Sequence, residues 1–507
     1  MKNESASQQT GNILRVHLFL FLVIALVFLY LRTFLLPATP LVAYGDEVHY
    51  FLHAVRMLHG QLPYRDFFTF VLPGTDLLYA GTFRLLGVHQ WVAQGWVVII
   101  GLLLTGVITW LSSSILRGPL VMLPGLLFLV FDFDSALDAT HHWWSTLFVM
   151  VAAGILLNGR SNRRIAAAGG LCGVAALFTQ TQGALGLLAI ALYLVWTGGE
   201  DSRSSRFRQQ FLLLSIFAIV VATFAGYYAY RVGFRTLTYW TLYFPIVYFP
   251  KLEAHTPHAY FLQMPVLHKL SDLIFAVPYI FIHLVVPFIY LFCMFRLVRE
   301  KKSMERHLWE KVLLINLIGL ALFATVMTAA TPLRICVVAP PAMILCVWFF
   351  SRTARLDRWV RAALWTAGVT LVLYLPFNRQ RHGAAYLDLP TGRAAFIDAK
   401  RYDMMRWSAQ HTRPGESFFN NPWATFALSL DTPSPLDYVT PAEFTRPEQV
   451  DAVVRSLADH QTRLVFLYPE LYGPRQPGDN LEPFRQYVYK NYHLAMSSPS
   501  GQIWERN

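Results

Sequence analysis

Charge is scarce in this chain. Only 14% of its 507 residues are Asp, Glu, Lys or Arg, where a soluble domain carries about a quarter. With 55% hydrophobic residues and a mean hydropathy of +0.41, the chain holds too many apolar stretches of membrane-spanning length to be soluble. Cysteine is scarce as well. The four present, Cys172, Cys293, Cys336 and Cys346, all fall inside apolar runs. None forms a CxxC pair and none lies in a polar segment, which excludes a zinc knuckle and a disulfide framework. They read as buried thiols that pack as small hydrophobes. A GxGxxG fingerprint is missing too, so no nucleotide site is expected.

What charge there is has a pattern. The net charge is +12 and the pI about 9.5. From Ala385 onward acids and bases nearly balance, so the basic surplus lies earlier, in short loops: "NGRSNRR" (158–164), "RSSRFR" (203–208), "RLVREKK" (296–302) and "SRTARLDRWVR" (351–361). Basic short loops between apolar runs are a topology signal and not a nucleic-acid footprint. No nucleic-acid partner is expected. Apolar runs near 13–37, 91–112, 118–131, 142–158, 165–179, 184–197, 211–231, 272–296, 311–329, 335–350 and 362–376 predict about eleven spans. The first resembles a signal peptide but is long enough to span and lacks a small-x-small cleavage site, so it reads as an uncleaved helix. Every strongly basic loop then shares the side of the N-terminus. That places the N-terminus in the cytoplasm and 38–90, 132–141, 180–183, 232–271, 330–334 and the tail outside. Arg32, near the outer end of the first span, is the exception: it either snorkels or faces a buried anion.

The tail changes period. "AAFIDAKRYDMMRWSAQHT", "RPEQVDAVVRSLADHQ" and "LEPFRQYVYKNY" predict helices. "SFFNN", "TRLVFLY", "HLAMSS" and "GQIWER" predict strands. The fold class expected is therefore an all-α polytopic membrane domain over 1–377, carrying the first outer loop 38–90, plus a small extracytoplasmic α/β domain over 378–507.

The chemistry concentrates outside the spans. The first outer loop opens "YGDEVHYFLHAVRMLHG", an amphipathic helix with Gly60 at its end. A second helix is expected from about Pro73 to Leu86, and an aromatic, proline-punctuated segment joins them. Asp46 and Glu47 stand at the membrane boundary, where a carboxylate loses hydration. Two readings weigh equally: acids in a first turn, favoured by the helix dipole, or a general base facing a lipid-linked donor. Asp46, His49, Tyr50 and His53 share one helical face. That face suits a divalent metal, but a plain wet face is the preferred reading. The second outer loop groups Asp132, Asp134 and Asp138 with His141, His142, Trp143 and Trp144. The tryptophans suit an interface belt; the carboxylates and histidines do not. Gln180 and Gln182 sit at a further outer turn, suited to sugar hydroxyls or to capping. Arg334 is the strong charge of the 330–334 loop and suits a lipid phosphate or an interface anchor. The aromatic 232–271 segment reads as a lid, an acceptor groove or a belt.

An acidic pair after the first span, continued by "LHGQLPYRDFF" and "LPG", resembles the GT-C superfamily of membrane glycosyltransferases, and among them the bacterial relatives of protein O-mannosyltransferases, lipid A aminoarabinose transferase and lipopolysaccharide-core transferases. The likeness rests mainly on 40–90. It implies transfer of a hexosyl or pentosyl group from a polyprenyl-phosphate donor to a lipid, glycan or protein acceptor of the envelope, at the outer face of a bacterial inner membrane. It puts Asp46 at the reaction centre with Glu47 beside it. It suggests His49, Tyr64, Arg65, Asp66, Asp132, Asp134, Asp138, His141, His142, Gln180 and Arg334 for substrate binding. Where relatives show a tyrosine-containing segment near the penultimate spans, this chain reads "LRICVVAPP", which weakens the role of Arg334. Relatives differ in metal dependence, so no metal or other cofactor is assigned. An inverting transfer needs one base and a phosphate leaving group; positioning and charge stabilisation do the rest. Two rivals remain: a transporter or flippase of lipid-linked sugars, mildly disfavoured because few ionisable residues fall in mid-span, and an O-antigen polymerase or ligase.

Overall fold

In the computed structural model, residues 2–198, 202–249, 272–327, 331–352, 357–441, 446–475 and 478–507 are described. The expected 232–271 lid or groove is therefore described only to residue 249. Seven helices among the described residues are long and apolar enough to cross a membrane: Arg15–Thr33, Gln90–Ser113, Gln180–Thr197, Arg203–Val232, Ala276–Arg299, Arg306–Val326 and Arg358–Arg381. His141–Leu157 and Pro340–Phe350 are shorter apolar helices, and Asn162–Phe178 has 17 residues. The run 118–131 is not one helix. A 3-10 turn (Gly118–Val121), a short α-helix (Leu123–Leu127) and a π turn (Phe128–Asp132) replace it. Pro119 and Pro124 remove two ladder donors there, which accounts for the breaks.

The chain forms two compact units. The first comprises 1–32, 97–227 and 255–379. Its helices approach closely wherever a glycine meets a neighbour, the usual device where water supplies no drive for helix association. A Cβ on Gly183 would lie 2.3 Å from the backbone N of Ala176, and one on Gly169 2.5 Å from the carbonyl O of Leu213. The ring of Tyr290 fills the space beside Gly319. Its hydroxyl donates to the carbonyl of Val338 (2.7 Å) and accepts from the backbone N–H of Ala342 (3.1 Å). The Thr146 hydroxyl donates to Val337 O (2.9 Å) and the Ser145 hydroxyl to Ala175 O (3.0 Å). The polar side chains thus satisfy carbonyls of neighbouring helices.

The second unit comprises 33–96, 228–254 and 380–507. The first outer loop packs with the tail rather than standing with the spans. β1 (Phe34–Leu35) and β2 (Thr39–Pro40) pair antiparallel. β3 (Ala385–Leu389) and β4 (Gly392–Phe396) form a hairpin whose Ala395 carbonyl receives the Val42 N–H at 3.0 Å. β5 (Phe418–Phe419), β6 (Leu464–Leu467), β7 (Tyr492–Ser498) and β8 (Gly501–Arg506) make a sheet of order β5-β6-β8-β7, parallel only between β5 and β6. Helices Ala399–His411, Pro447–Asp459 and Glu482–Asn491 flank it. β6 is buried at every position and reads as a continuous apolar run, as a central strand does. Phe418, Leu464, Phe466 and Ile503 join Val42, Met404 and Met405 in one core. Phe419, Val465 and Leu467 join Val453, Phe484 and Val488 in another. The two faces of the sheet therefore each bury a helix, by simple alternation.

Candidate active site

The site is built outward from the first outer loop. The strand residue Val42 is pinned to the tail hairpin, and Tyr44 is held next. The Arg401 guanidinium lies 4.1 Å from its ring centroid and Trp423 packs at 5.2 Å. Burial raises the Tyr44 hydroxyl above its ordinary pKa against the pull of Arg401. Gly45 follows at φ +90°, a conformation that favours glycine. It turns the chain into the Glu47–Leu58 helix with Asp46 at the N-cap position.

Asp46 does not act as a cap. Its backbone is already helical (φ −62°, ψ −26°), its side chain makes no capping hydrogen bond, and it is exposed. A capping Asp sits in extended backbone and accepts from the second or third residue of the helix. Glu47, one residue on, is buried in the first turn, where the helix dipole favours a carboxylate.

The face expected to be wet is so only at its start: Asp46 is exposed and His49 half-buried, whereas Tyr50 and His53 are buried. The Gly74–Leu86 helix brings Asp76 to His53 Nδ1 (2.9 Å), and the 434–438 segment brings Asp437 to His53 Nε2 (2.8 Å). Asp437 also reaches Arg56 (3.2 Å) and His49 Nδ1 (3.4 Å), whose ring packs on Tyr438. Arg56 donates further to the carbonyls of Ser434 (3.0 Å) and Asp66 (2.9 Å) and lies over the Phe67 ring. Burial disfavours the His53 imidazolium, but the Asp437 and Asp76 carboxylates outweigh it and lift its pKa to about 9. Burial works against the Asp437 carboxylate as well; His53, His49 and Arg56 overcome it and hold the group well below the usual carboxylate range. Both ring nitrogens of His53 thus face carboxylates, which leaves it no lone pair for a metal. The network joins the helix Glu47–Leu58 to the tail and explains why that helix has an inner face without apolar residues at every position.

The continuation "PYRDFF" is spent locally. Tyr64 takes φ +69°, is buried, and donates its hydroxyl to Val71 O at 2.7 Å. Asp66 accepts from the Leu62 N–H (2.7 Å) and from Arg65, whose side chain is exposed. These pairings hold Asp66 below the ordinary carboxylate range, the Arg65 hydrogen bond first and then the Leu62 N–H, against mild burial. Of the acids of this unit named so far, Asp66, Asp76 and Asp437 have described partners and Asp46 has none.

The second-loop cluster belongs to the first unit. Asp132 ends the π turn, fully buried, with the Cys336 thiol beside it. Asp134 pairs with Arg32 through both carboxylate oxygens, with Nη2 at 3.0 Å. Arg32 therefore faces an anion supplied by the protein. Asp138 accepts from the Thr140 hydroxyl (2.9 Å) and backbone N–H (3.1 Å), shaping the turn before the His141–Leu157 helix. His141 and His142 lie ring to ring at 3.8 Å at its start. Gln180 opens the Gln180–Thr197 helix, with Gln182 fully buried one residue past its neighbour. Arg334 is half-buried in the Pro332–Val338 helix, which Thr331 caps.

Two residues of these networks went unnoticed in the sequence: Asp76 and Asp437. Asp437 lies 381 residues from Arg56, so spacing carries no trace of the pairing.

No protein-family model matches the sequence, and no curated protein does. Solved structures do. ArnT from Cupriavidus metallidurans, a lipid A aminoarabinose transferase, superposes in its apo state with a TM-score of 0.60 at 13% identity, over 97% of this chain and 98% of that one. The same enzyme bound to undecaprenyl phosphate gives 0.58 at 14% identity, over 96% and 97%. The oligosaccharyltransferase AglB from Archaeoglobus fulgidus, in complex with an inhibitory peptide and a dolichol-phosphate, gives 0.52 at 12% identity, over 96% of this chain and 74% of that one. The chain has the fold of the GT-C membrane glycosyltransferases and is a multi-pass membrane protein.

Proposed function

We propose that this chain of GT-C fold transfers a sugar from a polyprenyl-phosphate donor to an acceptor of the cell envelope, at the outer face of the cytoplasmic membrane, with Asp46 as general base. The observation that carries the assignment is the state of Asp46: an exposed carboxylate with no capping bond, on a rigid helix whose other face is fastened by the His53–Asp437 network. A base must be free to accept a proton, and a group consumed as a helix cap is not. In the reaction the Asp46 carboxylate takes the proton of the acceptor hydroxyl or amine as that atom attacks the anomeric carbon. The bond to the donor phosphate breaks, its electron pair leaves with the lipid phosphate, and the configuration inverts. Glu47 supports the same helix start from inside. His49 and Arg65, and in the other unit Asp132, Asp138, His141, His142, Gln180 and Arg334, are assigned to substrate binding. Tyr64, Asp66 and Asp134 support by fastening their neighbours. The lipids seen with ArnT and AglB, undecaprenyl phosphate and dolichol-phosphate, support a polyprenyl-phosphate partner here.

The test is transfer of radiolabelled hexose or pentose from polyprenyl-phosphate donors to extracted envelope acceptors. Asp46→Asn should lower the rate at least about 100-fold, the lower end of what one base supplies, with unchanged expression and thermal stability. Transfer near the wild-type rate in that variant would refute the base assignment. Label crossing sealed vesicles without any glycosidic bond formed would favour a transporter.

A further inference from the structure

Two histidines of one helix meet the same carboxylate and end in different states. Asp437 is buried and accepts at both oxygens: Oδ2 faces His53 Nε2 (2.8 Å) and His49 Nδ1 (3.4 Å), and Oδ1 faces Arg56 Nη1 (3.2 Å). Burial opposes its charge, and His53, His49 and Arg56 maintain it. An ionised carboxylate only accepts. The His49 nitrogen that faces it therefore carries a proton, and in the neutral ring Nε2 is left with a lone pair. His53 is closed at its other nitrogen by Asp76 (2.9 Å). His49 is not. Its Nε2 has no partner among the described residues, and 23% of its side chain is exposed. At 3.4 Å its contact with Asp437 is a long hydrogen bond, enough to set a tautomer but a minor part of the fastening. Helix geometry decides what the free nitrogen lies beside. His49 follows Asp46 by one turn, and its backbone N–H donates to the Asp46 carbonyl (3.2 Å). Residues so spaced share a face, with Cβ atoms about 5–6 Å apart, and helical side chains lean over the preceding turn. The Tyr438 ring packs on the imidazole at 4.6 Å. His49 is thus held at its Nδ1 edge and on one face, over the turn that carries Asp46.

We propose that Asp437 is a positioning residue for the transfer acceptor: by holding His49 Nδ1 it presents Nε2 as a hydrogen-bond acceptor on the face of Asp46, where it takes a donor hydrogen of the incoming acceptor. The proposal rests on the transfer reading with Asp46 as base, and it gives the tail a part in the reaction. The chemistry selects the ligand. A bare imidazole nitrogen accepts a hydrogen bond and is mismatched to a phosphate or carboxylate oxygen, which has no proton to give. The donor phosphate is therefore not what His49 holds. Asp46 takes the proton of the attacking atom. His49 holds a second O–H of the same acceptor, keeps no proton from it, and forms and breaks no covalent bond. An acceptor with two neighbouring hydroxyls, as a sugar diol has, satisfies both groups; an isolated hydroxyl of a protein side chain satisfies one.

The experiment is steady-state transfer by the purified full-length chain in nanodiscs, expressed per mole of folded protein. Radiolabelled undecaprenyl-phosphoryl hexose and pentose serve as donors and extracted envelope glycolipid as acceptor. His49→Ala should raise the acceptor KM about three- to tenfold, the worth of one hydrogen bond, with the donor KM and the melting temperature unchanged. Asp437→Asn, whose amide no longer dictates the tautomer, should raise the acceptor KM by that factor at most. In the His49→Ala background it should raise it no further, because the two residues act as one. An unchanged acceptor KM in His49→Ala overturns the proposal. So does an equal Asp437→Asn effect in both backgrounds, or an Asp437→Asn loss confined to the folded fraction with both KM values in place. Asp437→Asn also loosens His53 and Arg56, so a second measurement keeps Asp437 intact: 15N shifts of the histidine-labelled wild type above the ordinary imidazole pKa, with the His49 signals assigned by their loss in His49→Ala. A protonated Nδ1 with a bare Nε2 is expected, and the reverse tautomer overturns the proposal even where Asp437→Asn does not fold. Asp46→Asn separates this proposal from the reading beneath it. Wild-type transfer in that variant refutes Asp46 as base; an inactive Asp46→Asn beside an unaltered acceptor KM in His49→Ala sinks the positioning role alone.

Discussion

The His53–Asp437 pair gives the sharpest test of the second unit. Its stability should depend on pH in a window set by two groups. The His53 pKa is raised, from 6.5 to about 9. A raised pKa contributes stability that is fully present below 6.5 and is lost as pH climbs through about 9. The span corresponds to about 3 kcal/mol, good only to order of magnitude. Asp437 lies on the other side: its pKa is depressed, so its contribution is present above the ordinary carboxylate value and is lost as acid reaches it. Both shifts describe one interaction seen from its two partners, so the contribution is counted once.

Asp437→Asn keeps the shape and removes the charge. At pH 7 it leaves His53 with Asp76 alone and Arg56 with backbone acceptors. Breaking a buried pair from one side costs about 3–5 kcal/mol in general; with Asp76 still in place the lower end is expected. The assay is thermal unfolding of the detergent-solubilised chain, followed by tryptophan fluorescence and by proteolysis in the tail. At pH 7 the variant should melt several degrees below the wild type. Between pH 8 and 10 the wild type should lose stability while the variant changes less, so the gap narrows. It should not close, since Arg56 stays charged. A gap that is constant from pH 7 to pH 10 would refute the charged state assigned to His53. A variant as stable as the wild type at pH 7 would refute the network as a fastening.

Other outcomes follow from single contacts. Tyr64→Phe strands the buried Val71 carbonyl at the cost of about 1–3 kcal/mol, measurable by the same melt, with no direct loss of transfer beyond that of the unfolded fraction. Gly183→Ala would put a Cβ 2.3 Å from the Ala176 backbone, which no rotamer relieves; expression of folded chain, read by size-exclusion profile, should collapse, whereas Gly81→Ala, with nothing within 4 Å, should express normally. Arg32→Ala leaves the half-buried Asp134 without its partner and should destabilise the first unit by about 3 kcal/mol, the lower end for a buried pair, read as loss of folded chain on extraction.

Much of the fold was legible because it repeats. Apolar runs predicted the long spans, and period changes predicted the tail helices and strands within a few residues: "RPEQVDAVVRSLADHQ" is the helix Pro447–Asp459 and "TRLVFLY" contains β6. The hairpin of β3 and β4 was not foreseen, because "AYLDLPTGRAAF" carries weak alternation beside strong helical sequence. The first outer loop was misread in one respect. A helix with Asp46, His49 and His53 on one face looks solvated when seen alone. Its His53 end is buried here because Asp76 and Asp437 arrive to neutralise it, and a charged face reads as wet only until its counter-charges are known.

The same point decides the site. Sequence lists every charge near the ends of the spans but cannot say which are already spent. Arg32 was expected to snorkel or to face a buried anion, and Asp134 proves to be that anion. Asp66 stood in the family-like motif, and Leu62 and Arg65 occupy it. Asp46 was weighed equally as cap and as base, and its side chain makes no capping bond. Among the candidate acids of the first loop, Asp46 is left as an exposed carboxylate without a capping bond. Which charges a fold has already neutralised is settled by partners far away in sequence, as Asp437 is from Arg56, and spacing along the chain carries no record of them.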